Sequence, residues 1–418
     1  YTVKSKSWDN SSPSMEETSY TDGVNRVRFI YDVSKPTSAV TYPADGSNYR
    51  AATLTTISGT HTDLTPQAGR LMSGVGVVKV SIQDLTHPTT YWRNGTGWVE
   101  TEDWGATTNA TVYPSSWTFA NIPAWQTGRQ YKIRSRAYDT AVPTANDQYT
   151  DSAQAGYTIT FDTTPPSASI QIPLHNGFYS QANALPNISG TATDPLPFAG
   201  AARSDIDYVR VAIKDLGADW WNGVGFSSAA ISWRATVKTG GPVWTWEYPA
   251  GQGAENLPAW QDNKKYAVWT EAFDKSGNTG GVVISTYTYD TTPPTSKIQL
   301  PSNQYHKSGE LTTLSGTASD GANANRSDLE IVEIAIQRDP ESAGNYWSWG
   351  AETFSSGASS YTITNAGTLA AWQQTWRLPN WDNFDGVTFR VYVNAKDKSQ
   401  NYQAALTSFT FIYDITRL

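Results

Sequence analysis

The stretch FDTTPP stands at residues 161–166, and YDTTPP returns at 289–294. A nucleophile, a metal cage or a phosphate cradle has no need of two prolines behind an aromatic residue, an acid and two threonines. Spacing explains the repetition instead. Aspartates in the same setting occur at Asp32 (YDVSKP), Asp162, Asp290 and Asp414 (YDITRL), at intervals of 130, 128 and 124 residues. Such regularity marks tandem units, each about one domain long.

Within each interval the same landmarks recur in one order. TSAVTYP, SASIQIP and TSKIQLP follow the junctions; ISGT, ISGT and LSGT begin at Ile57, Ile188 and Leu314, each with an aspartate six residues on. VVKVSIQD, YVRVAIKD and IVEIAIQRD then alternate apolar and polar residues with period two, as a half-buried strand must. PAW, PAW and PNW place Trp125, Trp260 and Trp381 ahead of YKIRSRAYD, YAVWTEAFD and FRVYVNAKD, and GYTITFD, STYTYD and SFTFIYD close the periods. About seven short alternating strands per period predict an all-β chain of tandem immunoglobulin-like antiparallel sandwiches in an elongated array. Tyr131, Tyr266 and Phe389 open the penultimate strands where a tyrosine corner sits, and Phe389 lacks the hydroxyl for its hydrogen bond. The predicted repeats are 37–162, 163–290 and 291–418, preceded by a piece at 1–36.

The combination of DTTPP, ISGTATD, YVRVAIKD, PAW and EAFDKSGN resembles the bacterial immunoglobulin-like (Big-type) repeats strung in tandem along large surface proteins and adhesins. The resemblance covers essentially the whole chain. It implies an extracellular location at the bacterial surface and a part in stalks, adhesive tips or enzyme appendages. It also implies calcium at the junctions, since some arrays of this family are stiffened there by that ion. Fold alone does not fix function.

The opening piece is the odd one. YTVKSKSWD (Tyr1–Asp9) matches YKIRSRAYD (Tyr131–Asp139), and in both a junction aspartate follows 23 residues after the last acid. Residues 1–36 therefore read as the last two strands of a preceding domain plus linker. Two explanations stay open: an excerpt from a longer array, and a subunit completed by strand donation through residues 1–32.

Composition narrows the partners. Cysteine is absent, which excludes disulfides and Cys-ligated metals. Charged residues make up 16% and the net charge is −8, so nucleic-acid partners are set aside. No apolar run approaches the roughly 20 residues of a membrane span, and no membrane insertion by this segment is expected.

In DTTPP the first proline holds the preceding threonine extended and the second fixes another φ near −65°, giving a short, stiff linker. In a sandwich of this kind the turns after the second and sixth strands lie at the end where the chain enters. Each junction aspartate should therefore meet two aspartates of the following repeat: Asp32 with Asp63 and Asp139, Asp162 with Asp194 and Asp274, Asp290 with Asp320 and Asp397. Three converging carboxylates repel one another unless a hard cation neutralises them, and oxygen ligands suit Ca²⁺. Aspartate is equally a favoured turn residue, and DKSGN (274–278) reads as a tight turn with no ion. Both readings stay open here.

The sequence contains 18 tryptophans. YWRNGTGW (91–98), DWWNGVGF (219–226) and YWSWGAETF (346–354) occupy equivalent places, and Trp92, Trp98, Trp220, Trp221, Trp347 and Trp349 are candidates for stacking on surface glycans. Aromatic residues at recurrent positions also fill cores. Sequons at Asn10, Asn94, Asn109, Asn187 and Asn325 are close to chance in so Asn-, Ser- and Thr-rich a chain. His61, His87, His175 and His306 share no place in the repeat, and no G-x-S-x-G, H-E-x-x-H or phosphate loop is present.

The expectation is a non-enzymatic spacer segment. Its partners would be neighbouring repeats of the same polypeptide, with self-association into fibres and glycan binding as the alternatives.

Overall fold

The structure, a computed structural model, describes residues 1–9, 17–50, 54–63, 71–86, 90–102, 104, 109–148, 156–249, 256–340 and 345–416. Asn10 and His87 lie outside the described residues. The described elements are β-strands, joined by one 3-10 turn at Trp381–Asn383.

Three pairs of sheets follow one another in chain order. In the first, a four-stranded sheet runs Thr37–Tyr42, Ile57–Thr62, Ser116–Phe119, Thr111–Val112. Its six-stranded partner runs Asn48–Tyr49, Tyr157–Phe161, Arg129–Asp139, Val75–Asp84, Thr90–Arg93, Gly97–Val99. All pairings are antiparallel except that of Asn48–Tyr49 with Tyr157–Phe161, which is parallel. The same strand order recurs in the sheets built on Ser167–Ile172 and on Thr295–Leu300. The chain is thus a tandem array of immunoglobulin-like sandwiches.

Strand Arg129–Asp139 shows why these residues make this fold. Tyr131, Ile133, Ser135, Ala137 and Asp139 are buried and the residues between them are not, the period-two pattern read from YKIRSRAYD. Ser135 reaches a partner in Ser38, whose Oγ lies 3.0 Å away. The recurring SGT has an equally local cause. A Cβ on Gly59 would stand 2.0 Å from the Ala39 carbonyl and 2.4 Å from the Trp117 ring, and Gly316 has the same neighbours in Lys297 and Trp372. Glycine lets the buried tryptophan lie flat across the strand.

The tyrosine corner forms twice. The Tyr131 hydroxyl accepts from the Gln126 N–H at 3.1 Å and that of Tyr266 from the Gln261 N–H at 3.0 Å; burial pushes both phenols up to about 12. Phe389 takes the third position, buried between Trp381 and Phe411.

At the N-terminus, Thr2–Lys4 pairs with Arg26–Arg28 in the register Thr2↔Arg28, Val3↔Val27, Lys4↔Arg26. Shifted by 130 residues this is the register Lys132↔Thr158, Ile133↔Tyr157 of the hairpin that closes the first sandwich. The two hairpins are one motif.

The chain divides into two compact units: residues 1–167 with 193–207 and 273–280, and residues 168–192, 208–272 and 281–418. The aspartate groups around Asp32 and Asp162 lie within the first unit and that around Asp290 within the second.

Candidate metal centres

The junction aspartate is fixed by its own linker and by the repeat that follows. One oxygen accepts the N–H two residues on: Ser34 to Asp32 at 2.9 Å, Thr164 to Asp162 at 2.9 Å, Thr292 to Asp290 at 3.0 Å. The other accepts the backbone N–H of a serine in the next repeat: Ser73 at 2.8 Å, Ser204 at 2.8 Å, Ser327 at 2.6 Å. The linker threonines are held from behind. Thr163 N–H donates to Thr127 Oγ1, and Thr291 N–H and Thr292 Oγ1 donate to Asp262. The last proline of each junction (Pro36, Pro166, Pro294) is buried. The aspartate, both threonines and the last proline of DTTPP thus each have a structural task.

The predicted triads come together. Asp32, Asp63 and Asp139 each offer a carboxylate oxygen, all within 4.8 Å of one another, and so do Asp162, Asp194 and Asp274, and Asp290, Asp320 and Asp397. A residue that sequence reading passed over completes each group. Asn146, Asn278 and Asn401 donate backbone N–H and side-chain Nδ2 to Asp139, Asp274 and Asp397. The same Nδ2 also donates to the backbone carbonyl of Asp32, Asp162 and Asp290 at 3.1, 2.9 and 2.8 Å. The signal was legible in NDQ, GNT and QNY at matching places, but three asparagines in an Asn-rich chain do not announce themselves.

Electrostatics show that the groups lack a positive partner. Burial and the charges of Asp162 and Asp274 push the Asp194 carboxyl up to about 7; burial and the charges of Asp290 and Asp397 do the same to Asp320. Burial also raises Asp63, Asp274 and Asp397. Asp32 goes the other way: burial raises it, but the donors of Ser73 and Ser34 outweigh that and hold it low. Oδ1 of Asp63, Oδ1 of Asp194 and both oxygens of Asp320 are buried with no hydrogen-bond partner. The Asp328 N–H acts on Asp320 electrostatically without reaching hydrogen-bond geometry. Among the described residues no Lys or Arg side chain pairs with any of these nine carboxylates. A buried carboxylate oxygen without a donor is costly and is relieved by a proton or a hard cation. An all-oxygen donor set fits calcium, which takes six to eight oxygens and fills its shell with carbonyls and water.

The tryptophans are a correction. Trp220, Trp221, Trp347 and Trp349 are buried, and the indole N–H groups of Trp347 and Trp349 donate to the carbonyls of Arg377 and Ser360. Trp98 stacks on Tyr131 and meets Trp92 edge to face, while Trp92 donates to the Asn121 carbonyl. The four buried rings offer no open face to a sugar; the distant residues that bury them, such as Trp269 against Trp220 and Tyr248 against Trp221, are invisible in a local motif. Among the histidines, His61 lies 2.7 Å from the Tyr113 carbonyl and His175 Nδ1 accepts from the Thr286 N–H.

No family model and no curated protein matches the chain. Solved structures similar to it include the chicken CNTN1 FN1–FN3 domains, at 12% identity and a TM-score of 0.27 over 91% of this chain and 98% of that one. A 1.5-MDa bacterial ice-binding adhesin is similar at 12% and 0.31 over 91% and 99%, and a tetra-tandem repeat in the extending region of a large adhesion protein at 15% and 0.24 over 92% and 74%. The chain is thus similar to fibronectin-like and adhesin-type repeat domains, while scores this low leave its fold to be argued from its own sheets.

Proposed function

We propose that the chain is a non-enzymatic spacer segment of a large bacterial cell-surface or adhesin-like protein, built of Big-type immunoglobulin-like repeats and joined through cation-binding hinges. The carrying observation is the junction. Each linker aspartate bonds forward to a serine N–H of the next repeat, an asparagine of that repeat grips the aspartate's own carbonyl, and the linker threonines bond back. Such a linker resists bending where a Gly/Ser tether would not. Ca²⁺ at Asp32/Asp63/Asp139, Asp162/Asp194/Asp274 and Asp290/Asp320/Asp397 would lock it further, and the unpartnered buried oxygens support that reading.

Residues 1–36 act as the closing hairpin and linker of a repeat, and 37–162, 163–290 and 291–418 as three complete ones. The test is small-angle scattering of the whole segment with calcium and with chelator. An extended particle of fixed length in calcium that becomes more flexible on chelation is expected. A compact particle, or floppy behaviour in both, would overturn the spacer reading; identical melting in calcium and chelator would remove the ion.

A second reading has one observation in its favour. The hairpin leaves Tyr1 79% and Val3 59% exposed at positions whose counterparts, Tyr131 and Ile133, are fully buried. Strands from a second chain would cover them and build a filament. Sedimentation as a monomer at high concentration would exclude this.

A further inference from the structure

We infer that the three aspartate groups are unequal: the second and third take a largely dehydrated divalent cation, whereas the first keeps water on the ion and fills last. This rests on the cation reading proposed above and concerns only its order and hydration.

Burial separates the groups. Asp162, Asp194 and Asp274, and likewise Asp290, Asp320 and Asp397, are all buried, with Asp194 at 0% and Asp320 at 5% exposure; in the first group only Asp139 is buried, and Asp32 and Asp63 reach solvent. Water therefore solvates part of the first group's charge in the absence of an ion, and an arriving cation has less repulsion to relieve there.

Lone pairs set the third group apart. Asp32 accepts three hydrogen bonds, from Ser34 N–H, Ser73 N–H and Ser73 Oγ at 2.7 Å; Asp162 also accepts three, the third a longer one of 3.4 Å from Thr127 Oγ1. In the second group the corresponding hydroxyl of Ser204 turns at 3.4 Å to Asp194, and in the third the Ser327 hydroxyl has no partner. Oδ1 of Asp63 and Oδ1 of Asp194 are each unpartnered inside their groups, and so are both oxygens of Asp320. The third group thus holds the most free acceptors.

The supporting loop differs as well. The residue after the serine adopts a left-handed conformation in all three: Gly74 at φ 81°, Asp205 at φ 71°, Asp328 at φ 64°. Only the first is uncharged, and Asp328 adds its charge to the field at Asp320. The clamp asparagine follows its aspartate by four residues in the second and third groups and by seven in the first. A longer turn makes a less rigid ligand cage, and site rigidity and ligand charge tune calcium affinity over orders of magnitude.

The experiment uses the whole chain with Tb³⁺ as luminescent probe, comparing excited-state lifetimes in H₂O and D₂O to count bound waters, alongside calcium titration calorimetry of the unaltered protein. Two tight sites with about one water or none are expected, lost singly in D194N and D320N, and a third at least about tenfold weaker with two or more waters, lost in D63N. Removal of a repelling charge without change of shape keeps these variants folded, which a melting curve checks. Three equivalent sites, or loss of the tightest site in D63N, would overturn the ordering and leave the cation reading intact. No binding of either ion would overturn both.

Discussion

The hairpin at Thr2–Lys4 and Arg26–Arg28 and the hairpin that closes the first sandwich pair in the same register, yet one lies open and the other is core. Their sequences, YTVKSKSWD and YKIRSRAYD, are close relatives. Register is therefore set locally, by the alternation of side chains along the strands. Burial is set by what lies opposite: in the first sandwich Trp98, Trp125 and Phe161 pack around Tyr131 and its neighbours. The same contrast runs into the junctions. The group beside the open hairpin is partly wet, and the two between complete sandwiches are dry.

Core truncation should break the comparison most strongly. Ile133→Ala should cost about 2–5 kcal/mol through lost transfer energy and a residual cavity. Val3→Ala, at the matching exposed site, should stay within about 0.5 kcal/mol. Amide hydrogen exchange along 129–139 and 1–9 reads the two sites separately in the whole chain; equal effects would mean that the hairpin at 1–32 is covered in solution.

Acid dependence should follow in size. With divalent ions chelated, Asp194 and Asp320 titrate at about 7 in the folded protein against an ordinary 3.8, so the folded state holds extra protons between those values. Their contribution is full at low pH and lost as pH rises through about 7. A fall in Tm of a few degrees is expected across that window, flattened by D194N or by saturating calcium. Asp32 works oppositely, since its low value gives stability that is lost only as pH falls through the acid range. A chelated Tm that rises from about pH 5 to 8 would contradict the assignment.

Smaller effects sharpen the contrast. Tyr131→Phe removes the corner hydrogen bond and should cost about 0.5–1.5 kcal/mol, whereas Tyr1→Phe should change nothing measurable in the same exchange experiment. Ser296→Ala should cost about 1 kcal/mol, because Ser296 Oγ donates to the buried Gln403 Oε1 at 2.7 Å and ties strand Thr295–Leu300 to the segment between Val387–Asp397 and Thr407–Tyr413. Gln148 makes the matching tie to Ser38, and Ala168 with Gly280 stands at those places in the second repeat. The local exchange penalty of Ser296→Ala should therefore be absent from Ala168→Ser.

Much of the junction was legible in the chain itself. The spacing of ISGT or LSGT and of the penultimate-strand aspartate from each junction aspartate was enough to name Asp63, Asp194, Asp320, Asp139, Asp274 and Asp397 as companions of the linker acids. What could not be read was their surroundings. The contacts that grip the linker carbonyl join residues 111 to 116 apart in the chain, such as Asn278 to Asp162, and no local pattern carries them. Trp220 and Trp347 failed for the same reason: a short aromatic run looks alike whether it faces water or is covered by residues distant in the chain, as Trp269 covers Trp220.

By itself, then, the sequence determined the repeat period, the strands with their alternation, the register of every closing hairpin and the identity of the acids at each joint. These depend on side-chain order along the chain, which is local. The tertiary structure alone decided which tryptophans are core, which carboxylates lose their water, and how unequal the three joints are. Those depend on which surface arrives from a strand many residues away, and burial, unlike periodicity, belongs to the assembled pair of sheets.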